Sequence, residues 1–157
     1  MKVTLLVVGK TDTSYLKEGI DQYTSRLKHY INFNIQTISD IKKNKNTTES
    51  ILQKKEAEAI LATLSNFAEM HLLDEKGKSF TSREFAGFLQ KKMNQGLKEM
   101  VFVIGGAYGF SDEVYKNANS KLSLSNMTFS HQMARLLFVE QLYRAFTILN
   151  GEPYHHD

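Results

Sequence analysis

The chain ends in the stretch Leu122–Asp157, LSLSNMTFSHQMARLLFVEQLYRAFTILNGEPYHHD, and the rest of the sequence is best understood in relation to it. This stretch joins a short strand-like run to a loop, the loop to a long helix that is apolar almost all round, and the helix to a polar tail. A helix with so little polar surface needs burial on several sides. The remainder of the chain must therefore supply a scaffold that covers it.

Strand-like and helical segments alternate upstream of this stretch. The runs Val3–Gly9 and Met100–Ile104 have the continuous apolar pattern of strands buried on both faces. Three more strands are predicted at 33–38, 70–74 and 122–125, and helices are predicted at 13–28, 48–66, 81–96, from 111 onward, and 130–150. This alternation predicts an α/β fold with a mainly parallel sheet and helices on both faces. We expect one domain over residues 1–157.

Several residues mark where helices begin and end. Thr81-Ser82-Arg83-Glu84 matches a capping box, in which the hydroxyl and the carboxylate each satisfy a free backbone N–H. Gly151 is suited to the end of the last helix, and Pro153 prevents its continuation. The segment Glu75–Lys78 contains a glycine between polar residues and is predicted to be a turn.

The composition narrows the class of protein. Hydrophobic residues make up 41% and charged residues 24%, which is typical of a globular protein, and the absence of cysteine excludes thiolate chemistry. Val3–Val8 is shorter than the apolar core of a signal peptide, and no run approaches a membrane span. We therefore expect a cytoplasmic protein without a membrane partner. A net charge of +3 permits a polyanionic partner but does not require one.

Three segments are expected at the sheet edge where open α/β folds bind ligands, beyond the carboxyl ends of the strands. They are Leu73-Asp74, Gly105–Gly109 and Leu124–Phe129. The glycines at 105, 106 and 109 do not match G-x-G-x-x-G, and the G-K-[ST] triplets at 9–11 and 77–79 lack the first glycine of a P-loop. Paired glycines then indicate either a tight turn or a close approach of the backbone to a ligand.

The last helix and the tail carry the other candidate polar residues. Glu140 and Arg144 form either an ordinary i, i+4 ion pair or a functional pair. The apolar excess on this helix predicts a partner helix, most simply from a second copy of the chain. His155 and His156 are a metal-site fragment, a proton-transfer pair or a frayed end, and no spacing of further ligands supports a metal.

Two histidines and one polar loop complete the candidates. His71 and His131 are interpreted as ordinary structural histidines. The segment Asp40–Thr48, DIKKNKNTT, is interpreted as a mobile surface loop or as a loop that contacts phosphate.

Five motifs taken together resemble one family: VFVIGGAYG at 101–109, LSLSNMTF at 122–129, HQMAR at 131–135, EQLYRAF at 140–146 and PYH at 153–155. They resemble the SPOUT superfamily of α/β-knot methyltransferases, and within it the enzymes that methylate N3 of a pseudouridine in 23S ribosomal RNA. The resemblance covers the whole chain. It implies a C-terminal α/β trefoil knot, a homodimer, S-adenosylmethionine as methyl donor without a metal, and the assembled 70S ribosome as substrate.

The resemblance also implies two groups of site residues. The methyl donor is expected to contact the strand-end segments at Leu73, Gly105, Leu124, Ser125, Asn126, Met127, Thr128 and Phe129. The expected catalytic group is Glu140, Arg144, Tyr154 and His155. In this group His155 is the candidate base or proton relay, and Arg144, oriented by Glu140, binds a phosphate or stabilises negative charge. Tyr154 is expected to stack on the target base or to orient it.

The sequence departs from the family pattern at two positions and leaves two other functions open. Ser130 stands where relatives commonly have proline, and His156 stands where a basic residue is usual. A non-catalytic ribosome-binding factor would not bind S-adenosylmethionine, and a nucleotide-dependent α/β enzyme is disfavoured by the failed glycine motifs. A basic rim is expected to help docking to ribosomal RNA, formed by Lys42, Lys43, Lys45 and Arg135.

Overall fold

Five strands and five helices alternate along the chain in the computed structural model, which describes residues 1–41 and 46–156. The elements are β1 Lys2–Val8, α1 Ser14–Leu27, β2 Asn32–Ile38, α2 Glu49–Thr63, β3 Ala68–Ser79, α3 Ser82–Asn94, β4 Glu99–Ile104, α4 Asp112–Asn117, β5 Ser120–Ser123 and α5 His131–Leu149. The strands form one sheet in the order β2-β1-β4-β3-β5, and every pairing is parallel. The predicted parallel α/β sheet is confirmed, and β4 lies at its centre.

The apolar strands bury side chains on both faces of the sheet. Because successive strand residues point to opposite faces, Leu5 of β1 packs in one core cluster and Leu6 packs in the other. The first cluster is completed by apolar side chains of α1, α3 and α5, and the second by side chains of α2 and α4. The prediction of helices on both faces is therefore confirmed.

The helix signals of the sequence are realised in the structure. Thr81 and Glu84 form the predicted capping box at the start of α3. Ser130 caps α5 by accepting a hydrogen bond from the backbone N–H of Met133 at 3.3 Å. A proline at this position would have no side-chain acceptor, so the serine supplies a cap of its own. Gly151, with φ of +67°, follows the last turn of α5 in the left-handed conformation that suits glycine.

The predicted turn at Glu75–Lys78 lies instead inside β3, which is longer than the sequence indicated. Leu73 and Lys78 both pair with Leu122 of β5, so the four residues between them form an irregularity of the strand. A Cβ atom on Gly77 would lie 2.6 Å from the backbone nitrogen of Leu122. The glycine is therefore needed for a close approach between two strands, which a sequence pattern does not distinguish from a turn.

The helix α5 is held mainly by α1 and α3 on the first face of the sheet. Phe138, Val139 and Leu142 are fully or almost fully buried there. Gly19 of α1 allows close packing, since a Cβ atom there would lie 2.9 Å from a methyl carbon of Leu136. The long apolar helix thus has its expected scaffold.

Candidate active site

A cavity of about 740 Å³ opens at the carboxyl ends of β3, β4 and β5 and reaches the first turn of α5. Its wall includes Leu73 at the end of the regular part of β3, the loop 104–110 after β4, and the loop 124–130 after β5. These are the three strand-end segments that the sequence indicated. The parallel sheet brings them together because the carboxyl ends of all its strands lie at one edge.

Seven of the eight residues expected to contact a methyl donor line this cavity: Leu73, Gly105, Leu124, Ser125, Met127, Thr128 and Phe129. Asn126 is exposed and is not part of the lining. The loop is shaped by its own polar side chains, since Ser123 Oγ donates to the carbonyl of Ser125 at 2.8 Å and Ser125 Oγ accepts from the N–H of Met127 at 2.9 Å. The exposed fraction of Met127 is 75%, so an apolar side chain stands at the cavity mouth.

The glycine loop is both a tight turn and part of the cavity wall. The N–H of Gly109 donates to the carbonyl of Gly106 at 3.2 Å, and the φ of Gly109 is +70°. A Cβ atom on Gly105 would lie 3.0 Å from the ring of Phe110, and one on Gly106 would lie 2.6 Å from the carboxylate of Glu56. The tight turn, the first of the two alternatives, is therefore confirmed. The close approach of this backbone to a ligand stays a prediction.

Tyr115 also lines this cavity, although it was not predicted as a site residue. Tyr115 projects from α4 and its hydroxyl donates a short hydrogen bond to Asp74. Burial, followed by this hydrogen bond and the charge of Asp74, raises the pKa of Tyr115 to about 12. Glu75 also lines the cavity and accepts a hydrogen bond from Thr128 Oγ1 at 3.2 Å. The cavity rim thus carries two carboxylates and a protonated phenol.

The four predicted catalytic residues form a single polar cluster at the other end of α5. Glu140 Oε1 accepts from Arg144 Nη2 at 2.6 Å, from Arg144 Nε at 3.1 Å and from the Tyr154 hydroxyl at 3.0 Å. The Arg144 guanidinium also lies 4.7 Å from the centre of the Tyr154 ring. Arg144 Nη1 is 3.5 Å from His155 Nδ1. We name Glu140, Arg144, Tyr154 and His155 the tail cluster.

The electrostatics of the tail cluster favour a charged guanidinium and a protonated phenol. The hydrogen bond to Glu140 raises the pKa of Arg144. Burial raises the pKa of Tyr154, and its contacts with Tyr23 and Glu140 raise it further. Because arginine cannot accept a hydrogen bond, Nδ1 is the acceptor in the Arg144–His155 contact, and a neutral His155 then holds its proton on Nε2. Glu140 accepts hydrogen bonds from three side chains, those of Arg144, Tyr154 and Gln141, so the ion pair is part of a wider network. Its functional role stays a prediction.

The tail that contributes Tyr154 and His155 is packed against the body of the protein. The ring of Tyr154 stands edge-on to Tyr143 with 4.8 Å between centroids, and its hydroxyl lies 3.2 Å from that of Tyr23 in α1. The Tyr30 hydroxyl donates to Glu152 Oε2 at 2.6 Å, and this bond raises the pKa of Tyr30 to about 12. Tyr23 and Tyr30 were not predicted as site residues, because nothing in their spacing links α1 to a tail more than a hundred residues away.

The cavity and the tail cluster lie apart within one chain. The cavity contacts α5 at His131 and Ala134, whereas the tail cluster is attached at Glu140 and Arg144. At 1.5 Å per residue, Ala134 and Arg144 are separated by about 15 Å along the helix axis. A single chain therefore does not place the tail cluster in the cavity.

Two predictions about basic residues and histidines need correction. Arg135 is not part of a basic rim, since its exposed fraction is 1% and it donates to the carbonyl of Val8 at 2.6 Å and to Thr11 Oγ1 at 2.9 Å. It anchors the start of α5 to the loop after β1, and burial lowers its pKa. The prediction that His131 is a structural histidine is wrong, since His131 is exposed and lines the cavity. His71 is buried, as predicted for a structural histidine.

The other proposed rim residues, Lys42, Lys43 and Lys45, lie outside the described residues, as does the centre of the predicted loop at 40–48. Over residues 1–41 and 46–156, no group of three or more metal-ligating side chains is placed to hold a metal ion. In the same parts of the chain, no helix has the length and apolar character needed to cross a membrane.

Comparison with known proteins places the chain in a family. A family model described as "Predicted SPOUT methyltransferase" matches residues 1–155. The ribosomal RNA large subunit methyltransferase H of Parabacteroides distasonis is 56% identical over 157 residues, which cover the whole of both chains. The proteins of the same name from Flavobacterium johnsoniae and Bacteroides thetaiotaomicron are 57% identical over 156 residues, 99% of both chains, and 51% identical over 157 residues, all of both chains. The chain therefore belongs to the SPOUT methyltransferases, in the family of ribosomal RNA large subunit methyltransferase H.

Proposed function

We propose that this protein transfers a methyl group from S-adenosylmethionine to N3 of a pseudouridine in 23S ribosomal RNA within the assembled 70S ribosome. We place it in the cytoplasm, as a single-domain homodimer with a C-terminal trefoil knot around the donor site. The observation that carries the proposal is the cavity at the strand ends, lined by seven residues at the family's donor-contact positions. The relatives' printed name supports the RNA class of the substrate.

The chemistry of the cavity lining fits the methyl donor. Its volume of about 740 Å³ lies within the range of small-molecule sites, about 300–1,000 Å³. Leu73, Ile104 and Leu124 offer apolar surface for an adenine ring, and the loop backbones offer hydrogen-bonding groups. Asp74 and Glu75 place two carboxylates at the rim against the one ammonium of Lys76, and this excess of negative charge favours a cationic ligand over an anionic one. Bound S-adenosylmethionine supplies a methyl group on a sulfonium, whose thioether is a good leaving group.

The tail cluster is suited to the difficult step of this reaction, which is the activation of the nucleophile. N3 of a neutral pseudouridine carries a proton, so its lone pair becomes available only as that proton leaves. We assign His155 as the base or proton relay, and Arg144 as the group that stabilises the resulting negative charge or holds a phosphate. Glu140 fixes the guanidinium through two hydrogen bonds. Since Arg144 faces Nδ1, His155 must leave this contact before Nδ1 can accept the proton.

A homodimer would bring the two parts of the site together. Arg144 of the tail cluster lies about 15 Å along α5 from the cavity of its own chain, so a partner aligned in the opposite direction would place its tail cluster near that cavity. Met133 and Leu137, one turn apart on α5, are half-buried and belong to neither core cluster of the described residues. Such a face is suited to packing against a second copy of the helix.

The decisive experiment compares 23S ribosomal RNA from a strain that lacks this gene with RNA from the same strain carrying it. Mass spectrometry is expected to detect N3-methylated pseudouridine only in the complemented strain. In vitro, we expect purified 70S particles to be methylated and naked 23S RNA to be methylated weakly, because the described residues form a single sheet with its helices and the ribosome would have to present the nucleotide. An unchanged RNA in both strains, together with no binding of S-adenosylmethionine in calorimetry, would instead favour the non-catalytic ribosome-binding factor.

A further inference from the structure

The hydrogen bonds of the tail cluster continue into α1 through Tyr23. The Tyr154 hydroxyl donates its single proton to Glu140 Oε1 at 3.0 Å. The contact of 3.2 Å between the hydroxyls of Tyr23 and Tyr154 must then use the proton of Tyr23, because each phenol has one proton to donate. The donors therefore point in one direction, from Tyr23 to Tyr154 to Glu140.

The rest of the Tyr23 side chain is fixed by aromatic and cationic neighbours. Its ring lies 5.8 Å from the ring of Tyr143, and the guanidinium of Arg26 lies 5.5 Å from the Tyr23 ring and 5.6 Å from the Tyr143 ring. Tyr143 in turn packs edge-on against Tyr154. Tyr23 is half-buried between α1 and α5, so its hydroxyl is presented to the tail from a rigid element.

The helix α1 and the turn that follows it hold the tail at two places. Tyr30, just beyond the end of α1, donates to Glu152 at 2.6 Å, two residues before Tyr154. Tyr23 then determines where the Tyr154 hydroxyl can lie. A displacement of Tyr154 would disturb two catalytic candidates at once, since His155 is its chain neighbour and Arg144 lies over its ring.

We infer that Tyr23 is a positioning residue for methyl transfer, whose hydroxyl fixes Tyr154 on Glu140 and thereby orients Arg144 and His155. This inference rests on the proposed function, and it adds α1 to the elements that build the RNA-facing part of the site. Tyr23 acts through Tyr154 and does not contact the substrate. Loss of its hydroxyl leaves the half-buried Tyr154 oxygen without its donor, and the tail then samples other positions.

The test uses Tyr23→Phe in the full chain, because phenylalanine keeps the ring packing and removes only the hydroxyl. Tyr15→Phe is the matched control, since Tyr15 lies on the same helix with 64% of its surface exposed. We expect Tyr23→Phe to lower kcat on 70S particles about tenfold, with KM and the affinity for S-adenosylmethionine unchanged. Tyr15→Phe is expected to leave all three at the wild-type values.

The double variant Tyr23→Phe, Tyr154→Phe distinguishes positioning from a general loss of stability. If Tyr23 acts through the Tyr154 hydroxyl, the double variant has the same kcat as Tyr154→Phe alone. If the two effects multiply instead, Tyr23 does not act through Tyr154 and the inference is wrong.

A second measurement does not depend on activity. Hydrogen exchange at the amides of Tyr154 and His155 is expected to become about fivefold faster in Tyr23→Phe and to remain unchanged in Tyr15→Phe. Equal exchange in Tyr23→Phe and the wild-type protein would overturn the inference. If the wild-type protein does not methylate 70S particles, the proposed function fails, while the exchange rates still decide whether Tyr23 positions the tail.

Discussion

The two ends of α5 carry sites of opposite construction. The cavity at its N-terminal end is formed where three strands end, by glycine and apolar residues together with polar residues at the rim. The tail cluster at its C-terminal end consists of polar side chains from the helix and the tail, held by tyrosines of α1 and the turn that follows it. The first is a recess that the sheet topology creates, and the second is a hydrogen-bond network that depends on individual atoms. We therefore expect the cavity to lose its ligand when a side chain fills it. We expect the tail cluster to lose its function when a single polar group is removed.

The largest effect is expected from the removal of Arg144. Arg144→Ala deletes the cation that contacts Glu140, Tyr154 and His155, and we expect methyl transfer to fall about 10²- to 10³-fold. The affinity for S-adenosylmethionine should not change, because the cavity lies about 15 Å away along α5. Single-turnover kinetics on 70S particles and calorimetry measure the two quantities.

Two further variants define what Arg144 supplies. Lys91→Ala on the exposed surface of α3 removes one positive charge and should leave the rate unchanged. Arg144→Lys keeps the charge but loses the paired hydrogen bonds to Glu140, so a rate near that of Arg144→Ala indicates that geometry matters more than charge. A large loss of affinity for S-adenosylmethionine in Arg144→Ala would contradict the prediction that the cavity and the tail cluster act separately.

A smaller effect is expected from filling the cavity. Gly105→Val adds side-chain atoms where a Cβ already lies 3.0 Å from the ring of Phe110, and we expect a tenfold to hundredfold weaker affinity for S-adenosylmethionine. Gly87→Val is the matched control, because a Cβ at Gly87 meets no atom within 4 Å. Calorimetry measures the affinity, and urea unfolding verifies that both variants are folded. Wild-type affinity in Gly105→Val would place the donor elsewhere.

The same difference in construction explains what the sequence could predict. Apolar runs and capping residues located all ten elements, and the parallel order placed Leu73, Gly105 and Leu124 at one edge without any knowledge of side-chain contacts. Tyr23 was not predictable as a site residue, because its partner Tyr154 is 131 positions away and their contact depends on how α1 packs on α5. The positions of the tail cluster came from family resemblance, since spacing alone equally allowed an ordinary ion pair and a frayed end.

Arg135 and Gly77 illustrate two limits of composition and pattern. An arginine near a ligand edge was expected to be exposed, but Arg135 is buried, where its Nη2 donates to the carbonyl of Val8 and its Nη1 to the hydroxyl of Thr11. A glycine between polar residues was expected to form a turn, but it allows β3 to approach the backbone of β5. Both cases depend on a partner from a distant segment, which a local pattern does not contain.

The strand beneath the cavity should respond to acid. Burial, assisted by Lys92 and opposed by Glu69, lowers the pKa of His71 from 6.5 to about 4. Between pH 4 and pH 6.5 the unfolded chain binds a proton at this histidine and the folded chain does not. The contribution of His71 to the free energy of unfolding is therefore fully present above pH 6.5 and is lost as the pH falls towards 4. We expect a loss of about 2 kcal/mol between pH 7 and pH 5 from this group, measured by urea unfolding.

His71→Gln removes the titrating group and should reduce this slope, whatever its effect on stability at pH 7. His29→Gln is the control, because His29 is exposed. An unchanged slope in His71→Gln would mean that other groups control the acid response.

Mixed dimers test whether the cavity of one subunit works with the tail cluster of its partner. Gly105→Val and Arg144→Ala subunits are each expected to be weakly active alone, since one lacks the cavity and the other the tail cluster. If a site combines the cavity of one subunit with the tail cluster of its partner, each mixed dimer contains one intact site and one doubly damaged site. Random mixing makes half of the dimers mixed, so activity should recover to about a quarter of the wild-type value. If cavity and tail cluster act within one chain, every site in a mixed dimer carries one lesion, and mixing restores nothing.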